Sequence, residues 1–260
     1  MRILSLTSDA GLNSHYIGAV KGIALRESSQ QLQLVDINHQ IPAYDIVRAA
    51  YCVKNFFSYY PEGSIHLVMV SNFIGPKPSL LLVKSKGQYF ILPDNGIITL
   101  IFETLPSQIR RYVLDMDARG PLIEGVGEII ADLFSEKSWS KHGKSTRSVL
   151  QGLGFQPVIE SERIRATVVF IDSYGNVVVN VHKLLFESVF EEQEVVIYFK
   201  QNEPIRKLSR SYNDVDIGEP LCHFNSANLL EIAVNMGSAS TLLGLNIDDL
   251  IQVELAVAKV

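Results

Sequence analysis

Apolar runs separated by turn residues recur along the first 160 positions. Residues 2–7 (RILSLT) are apolar enough for a buried first strand. In the following SDAGLNSHYIGAVKGIALRE, Ile17, Val20, Ile23 and Ala24 recur at helical spacing, which makes Asp9 to Ser14 a strand-to-helix loop. LQLVDINHQI reads as the second strand. Pro42 is expected to open the next helix, AYDIVRAAYCVKNFFSYY, with Ile46, Ala49, Ala50 and Val53 on one face. After a turn at Pro61-Glu62-Gly63, HLVMVSNFIGPKPSLLLV supplies strands three and four around a stiff loop with one glycine and two prolines. GQYFILPDNGIITLIFE adds a strand, a turn at Asp94-Asn95-Gly96 and a short helix. Strands alternating with helices predict an α/β domain built on a mainly parallel, doubly wound sheet.

The pattern changes near residue 160. In RATVVFIDSYGNVVVNV two β-branched runs flank Ser173-Tyr174-Gly175-Asn176, a hairpin signal in which Asn176 is a candidate for positive φ. EVVIYFK, EPLCHFN and LIQVELAV are further short strands, and NLLEIAVNMGSASTLLGL holds a strand and a short helix. The chain therefore divides at about residue 162, with an α/β domain over 1–162 and a small all-β domain, a barrel, over 163–260.

Composition narrows the chemistry. A net charge of −5 without a basic stripe argues against a nucleic-acid partner. No apolar run is long enough to span a membrane, and Asp9 interrupts the N-terminal apolar stretch too early for a secretory leader, so a cytoplasmic location is expected. Cys52 and Cys222 stand far apart, which suits buried free thiols in a reducing compartment. His39, His66, His142, His182 and His223 are dispersed, metal-ligand spacings are absent, and no phosphate-binding glycine loop occurs. Asp9 alone could be a helix cap. Tyr44 and Tyr212 alone could be ordinary half-buried aromatics.

Taken in order, six blocks carry more information: SDAGLNSHYIGAVKG, VDINHQIPAYDIVRAAY, YPEGSIHLVMV, GQYFILPDNGIIT, IDSYGNVVVNV and LEIAVNMGSASTLLGL. Over nearly its whole length the chain resembles the S-adenosylmethionine hydroxide adenosyltransferase family, which includes fluorinase and chlorinase. The resemblance implies an N-terminal α/β domain, a C-terminal β-barrel, and a homotrimer with ligand sites between neighbouring subunits. It also implies S-adenosylmethionine as substrate or ligand, with no further cofactor. In such enzymes a nucleophile attacks the 5′ carbon and methionine leaves, so the protein mainly binds, aligns and desolvates.

Carried over residue by residue, the resemblance assigns Asp9 to the two ribose hydroxyls and Tyr44 to the ribose region. Asn176 falls where the family reads the adenine edge, Tyr174 and Tyr212 where aromatics surround adenine, and Asn235-Met236 where the backbone meets it. Ser226 falls at a contact to the methionine carboxylate. The remaining positions depart from the family. Its catalytic Asp, Arg and His fall at Ser71, Pro78 and Glu124, and the aspartate that pairs with the methionine ammonium falls at Ser14. Glu124 is a candidate substitute base, although its charge would repel a hydroxide-like nucleophile. The expectation is an S-adenosylmethionine hydrolase of reduced or altered activity, or a catalytically eroded adenosine- or nucleoside-binding relative acting as a sensor or scaffold.

Overall fold

The computed structural model describes residues 2–28, 32–118, 120–134, 139–154, 156–191, 193–200 and 204–256. It contains two compact units, 1–154 and 155–260. In the first, the order is β1 (Arg2–Ser8), α1 (His15–Glu27), β2 (Leu32–Asn38), α2 (Ile46–Phe56), β3 (Ile65–Met69), β4 (Ser79–Ser85), β5 (Gln88–Pro93), α3 (Ile97–Ile101), β6 (Gln108–Val113), α4 (Pro121–Phe134) and β7 (Lys144–Ser145).

These strands form one sheet in the order β2-β1-β3-β5-β4-β6-β7. The β1–β2, β1–β3 and β3–β5 pairs are parallel. The β4–β5, β4–β6 and β6–β7 pairs are antiparallel. The sheet is therefore mixed, and the expected parallel order describes only the half that carries β1 and β3. The reason is local. Lys86 (φ 49°) and Gly87 (φ 74°) make a two-residue turn with both φ positive, which matches strand twist and folds β4 directly onto β5.

Alternation along the strands separates two cores. Leu80 and Leu82 of β4 face one cluster with Ile17, Val20, Val126 and Ile130 of α1 and α4. Leu81 and Val83 face the other, with Ala49, Val53, Ile97 and Ile101 of α2 and α3. Helices thus cover both faces. Each such buried aliphatic side chain is worth about 2 kcal/mol relative to exposure. Helix α4 escaped the sequence reading, although Leu122, Val126, Ile129, Ile130 and Leu133 lie at helical spacing.

Two helix starts differ from expectation. Ser14, not Asp9, caps α1, its hydroxyl accepting from Tyr16 N. Helix α2 begins at Ile46 rather than near Pro42, because Tyr44 takes φ 67° and the Asp45 carboxylate accepts from Arg48 N.

The second unit holds β8 (Val158–Glu160), β9 (Arg163–Ile171), β10 (Val177–His182), α5 (Lys183–Phe190), β11 (Val195–Phe199), β12 (Pro220–Phe224), β13 (Leu229–Val234), α6 (Ala239–Leu242) and β14 (Leu250–Leu255). Its strands pair antiparallel in the order β11-β14-β9-β10-β13-β12, with β8 also on β9. The expected β9–β10 hairpin is present, with Gly175 (φ 83°) rather than Asn176 in the left-handed region. The unit is a curled half-barrel and is not all-β. Helix α5 interrupts it, capped by His182 Nδ1 accepting from Leu184 N. Isolated bridges from Ile205 to Ile197 and from Leu208 to Cys222 tie the segment between them to both edge strands, β11 and β12.

Four of the dispersed histidines have polar partners. His39, His142 and His223 meet Asp36, Asp132 and Glu231, and His66 meets Ser5. His66 is fully buried, with its ring among those of Phe56, Tyr60 and Phe90 at 5.5, 5.4 and 4.9 Å. Burial pushes its pKa down from 6.5 to about 4. Between those values the unfolded chain binds the proton first, so stability rises with pH across the window and is lost on acidification. Linkage caps the loss at about 3 kcal/mol. Urea unfolding of the native chain should show this decline between pH 6.5 and 4, and His66→Phe should flatten it. An unchanged slope in His66→Phe would place the titrating group elsewhere.

Candidate functional site

In the first unit, the carboxyl end of β1 leads straight into Asp9. One oxygen of that residue, Oδ2, accepts from two backbone amides, Tyr44 N at 3.0 Å and Ser71 N at 3.1 Å. Both donors belong to non-glycine residues with positive φ, Tyr44 at 67° and Ser71 at 52°. Such backbone costs of order 1 kcal/mol or more per residue and persists where surroundings hold it. The carboxylate thus fixes the loops after β2 and β3, leaving its second oxygen directed by the same geometry. The loop after β3 has a second anchor. Asn95, buried, donates from Nδ2 to the carbonyls of Val70 and Ser71 at 2.8 and 3.1 Å and accepts from Ile97 N. Behind β1, buried Ser8 Oγ lies 2.8 Å from His39 Nδ1, whose Nε2 meets Asp36 at 3.0 Å. The complete burial of Ser8 rules it out as a nucleophile despite this Ser-His-Asp order.

Asp9, Ser14, Tyr44, Ser71 and Asn72 line one cleft of about 600 Å³ with Ile17, Phe73 and Leu122. Asp9 is the only charged residue among the described residues lining it. Two of the expected catalytic positions lie outside. Pro78 is buried, its carbonyl accepting from Leu114 N as β4 begins. Glu124 sits on the exposed side of α4 and borders a different groove with Arg26, Glu128 and His142. Its position gives no support to a role as substitute base in the Asp9 cleft.

In the second unit, Tyr174, Asn176, Tyr212, Asn235 and Met236 line a pocket of about 630 Å³. Asp172, outside this lining, holds two of these residues. Oδ1 accepts from the amides of Tyr174 and Asn176, both at 2.9 Å, and Oδ2 accepts from Asn176 Nδ2 at 3.0 Å. That contact fixes the Asn176 amide plane and leaves its carbonyl oxygen and second N–H for an edge with paired donor and acceptor. A side chain at Gly175 would sit 2.1 Å from Ser238 Oγ, so only glycine lets this loop lie against α6. Asn235 Nδ2 donates to Val215 O at 2.8 Å, and Met236 takes φ 55°. Ser226 is exposed on the β12–β13 turn and outside this lining. Buried Glu231 accepts from Tyr212 Oη at 2.7 Å. Burial alone would raise its pKa, but the His223, Tyr212 and Asn225 donors together hold the carboxyl below its ordinary range. Burial and the Glu231 carboxylate push the Tyr212 phenol up.

Asp172, Asn95 and Glu231 were missed in the sequence. The D-x-x-x-N spacing of Asp172 to Asn176 is an Asx-turn signal that could have found the first. Glu231, a lone acid in an apolar strand, had the second-best signal. No cluster of three or more His, Cys, Asp or Glu suited to a metal occurs among the described residues.

The polar cleft of the mixed α/β unit lies at the carboxyl ends of β1 and β3, where open α/β sheets generally take ligands, and a half-barrel with an amide-lined pocket follows. Sequence models of the SAM hydroxide adenosyltransferase N- and C-terminal domains match residues 4–126 and 166–252, and the chain belongs to that family. It is 26% identical to an (R)-S-adenosyl-L-methionine hydrolase of Methanocaldococcus jannaschii, over 97% of this chain and 95% of that one. It is 29% identical to the hydrolase of the same name from Thermus thermophilus, over 94% and 96%. A crystal structure of an uncharacterized conserved protein from Thermotoga maritima superposes with a TM-score of 0.83 at 25% identity, covering 96% of this chain and 99% of that one.

Asp9→Ala removes both amide acceptor bonds and should lower stability by about 2 kcal/mol, because two amides and two left-handed residues lose their anchor. Asp9→Asn, which keeps an acceptor oxygen, should lose under half as much. Chemical denaturation checks both, and equal losses would show that the amide bonds do not hold the loops.

Proposed function

We propose that the chain binds S-adenosylmethionine through its adenosine half and hydrolyses it to adenosine and methionine, at a rate limited by its altered catalytic positions. Water attacks the 5′ carbon, the carbon–sulfur bond breaks with its electron pair going to sulfur, and a proton passes to solvent. The sulfonium makes methionine a good leaving group, so binding and alignment carry most of the task. The observation that carries this reading is Asp9. One oxygen is committed to two amides, which orients the other as an acceptor for a vicinal diol. The likeness to named hydrolases over nearly the whole chain supports it. Asn176, Tyr174, Tyr212 and Met236 serve adenine, Tyr44 the ribose, and Ser14 and Ser226 stand at the methionine end. The assembly is a homotrimer, and no cofactor is required.

A second reading, an adenosine-binding protein without turnover, is favoured by one observation: Asp9 is the only charged group among the described residues lining its cleft. Ser71 contributes no carboxylate, and neither Pro78 nor Glu124 borders the cleft. By analogy with other oriented catalytic groups, loss of an acid and a base costs several powers of ten in rate.

Calorimetric titration should find adenosine binding at least as tight as S-adenosylmethionine, since Ser14 supplies no carboxylate to pair with the ammonium. Ten-fold tighter binding of S-adenosylmethionine would contradict that. Chromatography of adenosine released on prolonged incubation separates the readings. Slow release that is lost in Asp9→Ala supports hydrolysis, and no release with retained adenosine binding supports the second reading.

Ser71→Asp should raise the rate at least ten-fold, because aspartate tolerates the positive φ at this position and restores an acceptor for water. A folded, adenosine-binding Ser71→Asp protein with unchanged release would show that residue 71 does not face the nucleophile.

A further inference from the structure

Glu231 is a 5% exposed carboxylate on β13, outside the pocket lining, that bonds the lining residue Tyr212. Three donors from three segments converge on it. Tyr212 Oη, from the short helical turn Tyr212–Asp214, donates to Oε1 at 2.7 Å. His223 Nε2, directly across the β12–β13 ladder, lies 3.2 Å from the same oxygen. Asn225 Nδ2, at the start of the turn, donates to Oε2 at 3.1 Å. The His223 ring meets the Tyr212 ring edge-on, with centroids 4.8 Å apart and planes at 70°. Asn225 in turn accepts at Oδ1 from Ala227 N and Leu229 N, which shapes the turn that carries Ser226.

A buried carboxylate is retained only where its oxygens are well paired. Here the pairing has a direction. Tyr212 is 40% exposed and stands on a three-residue turn, and its ring is held by the phenol bond and the His223 edge. The bond at Oη ties the outer end of this half-exposed ring to β13. With it, the ring is held as one wall of the pocket that contains Asn176 and Met236.

We propose that Glu231 is a positioning residue for nucleoside binding: it latches the Tyr212 ring into the pocket wall and, through Asn225, holds the turn bearing Ser226 in the same register. A pre-set ring spares the ligand the entropy of ordering it. This inference rests on the reading of the second-unit pocket as a nucleoside site. It adds a residue outside that pocket to the determinants of affinity, acting at both the adenine-facing wall and the turn.

Adenosine affinity measured by calorimetry on the full-length native chain, Glu231→Gln, Tyr212→Phe and the double variant tests the latch. Glu231→Gln should weaken adenosine binding about ten-fold. Tyr212→Phe, which keeps the ring and loses only the hydroxyl, should weaken it by a similar factor. The double variant should be no weaker than the weaker single variant, because both changes break one interaction. A merely structural Glu231 would give independent losses that multiply in the double variant, and that result overturns the proposal. So does Tyr212→Phe with native affinity, a variant whose folding does not depend on Glu231 being altered. If the native chain itself binds no adenosine, the nucleoside reading fails and the proposal falls with it. Normal native binding with multiplying losses overturns the latch alone.

Discussion

The hydrogen bonds of a single carboxylate oxygen set the shape of the first-unit cleft. Asp9 Oδ2 receives the amides of Tyr44 and Ser71, and neither of those residues would hold a left-handed backbone unaided. The loop after β2 and the loop after β3 are thereby fixed to the end of β1. The parallel pairing of β1 with β3 brings Asp9 and Ser71 to the same sheet edge, and the pairing of β1 with β2 does so for the segment leading to Tyr44. Asn95 repeats the device from the other side, holding Val70 and Ser71 by their carbonyls. Structure and candidate chemistry therefore share one residue, and a change at Asp9 acts on both.

The second unit solves the same problem with other acids. Asp172 holds the Asn176 amide and its own turn, and Glu231 holds Tyr212 and the Asn225 turn. In each case a buried or half-buried carboxylate spends its oxygens on local donors, and the groups it orients face the pocket. Some of the positive-φ residues lie in the same places. Tyr44, Ser71 and Met236 are non-glycine residues with positive φ, and all three line a candidate ligand surface.

Much of this organisation was legible in the sequence. The apolar periodicity of Ile17, Val20 and Ala24 located α1, and the paired β-branched runs around Tyr174-Gly175 located the β9–β10 hairpin. The ordered blocks identified the family. What escaped detection depended on contacts between distant segments. The antiparallel half of the first sheet followed from a two-residue Lys86-Gly87 turn that lacks the usual asparagine or aspartate. The late start of α2 followed from Tyr44 being pinned by Asp9, 35 residues away. The resemblance set Glu124 at a catalytic position without recognising helix α4, and in the structure it borders a groove with Arg26 and His142. Glu231 has no local partner in sequence at helical or turn spacing. Its role comes from the β12–β13 register, which sets His223 opposite it.

Under the proposed function, Asp9 accepts a ribose diol and Asn176 pairs with an adenine edge. A crystal structure of the chain grown with adenosine tests it most directly. The ribose diol is expected on the Asp9 oxygen not used by Tyr44 and Ser71, and an adenine amino edge on the Asn176 amide. Adenosine bound away from both residues, or with its diol turned from Asp9, would contradict it.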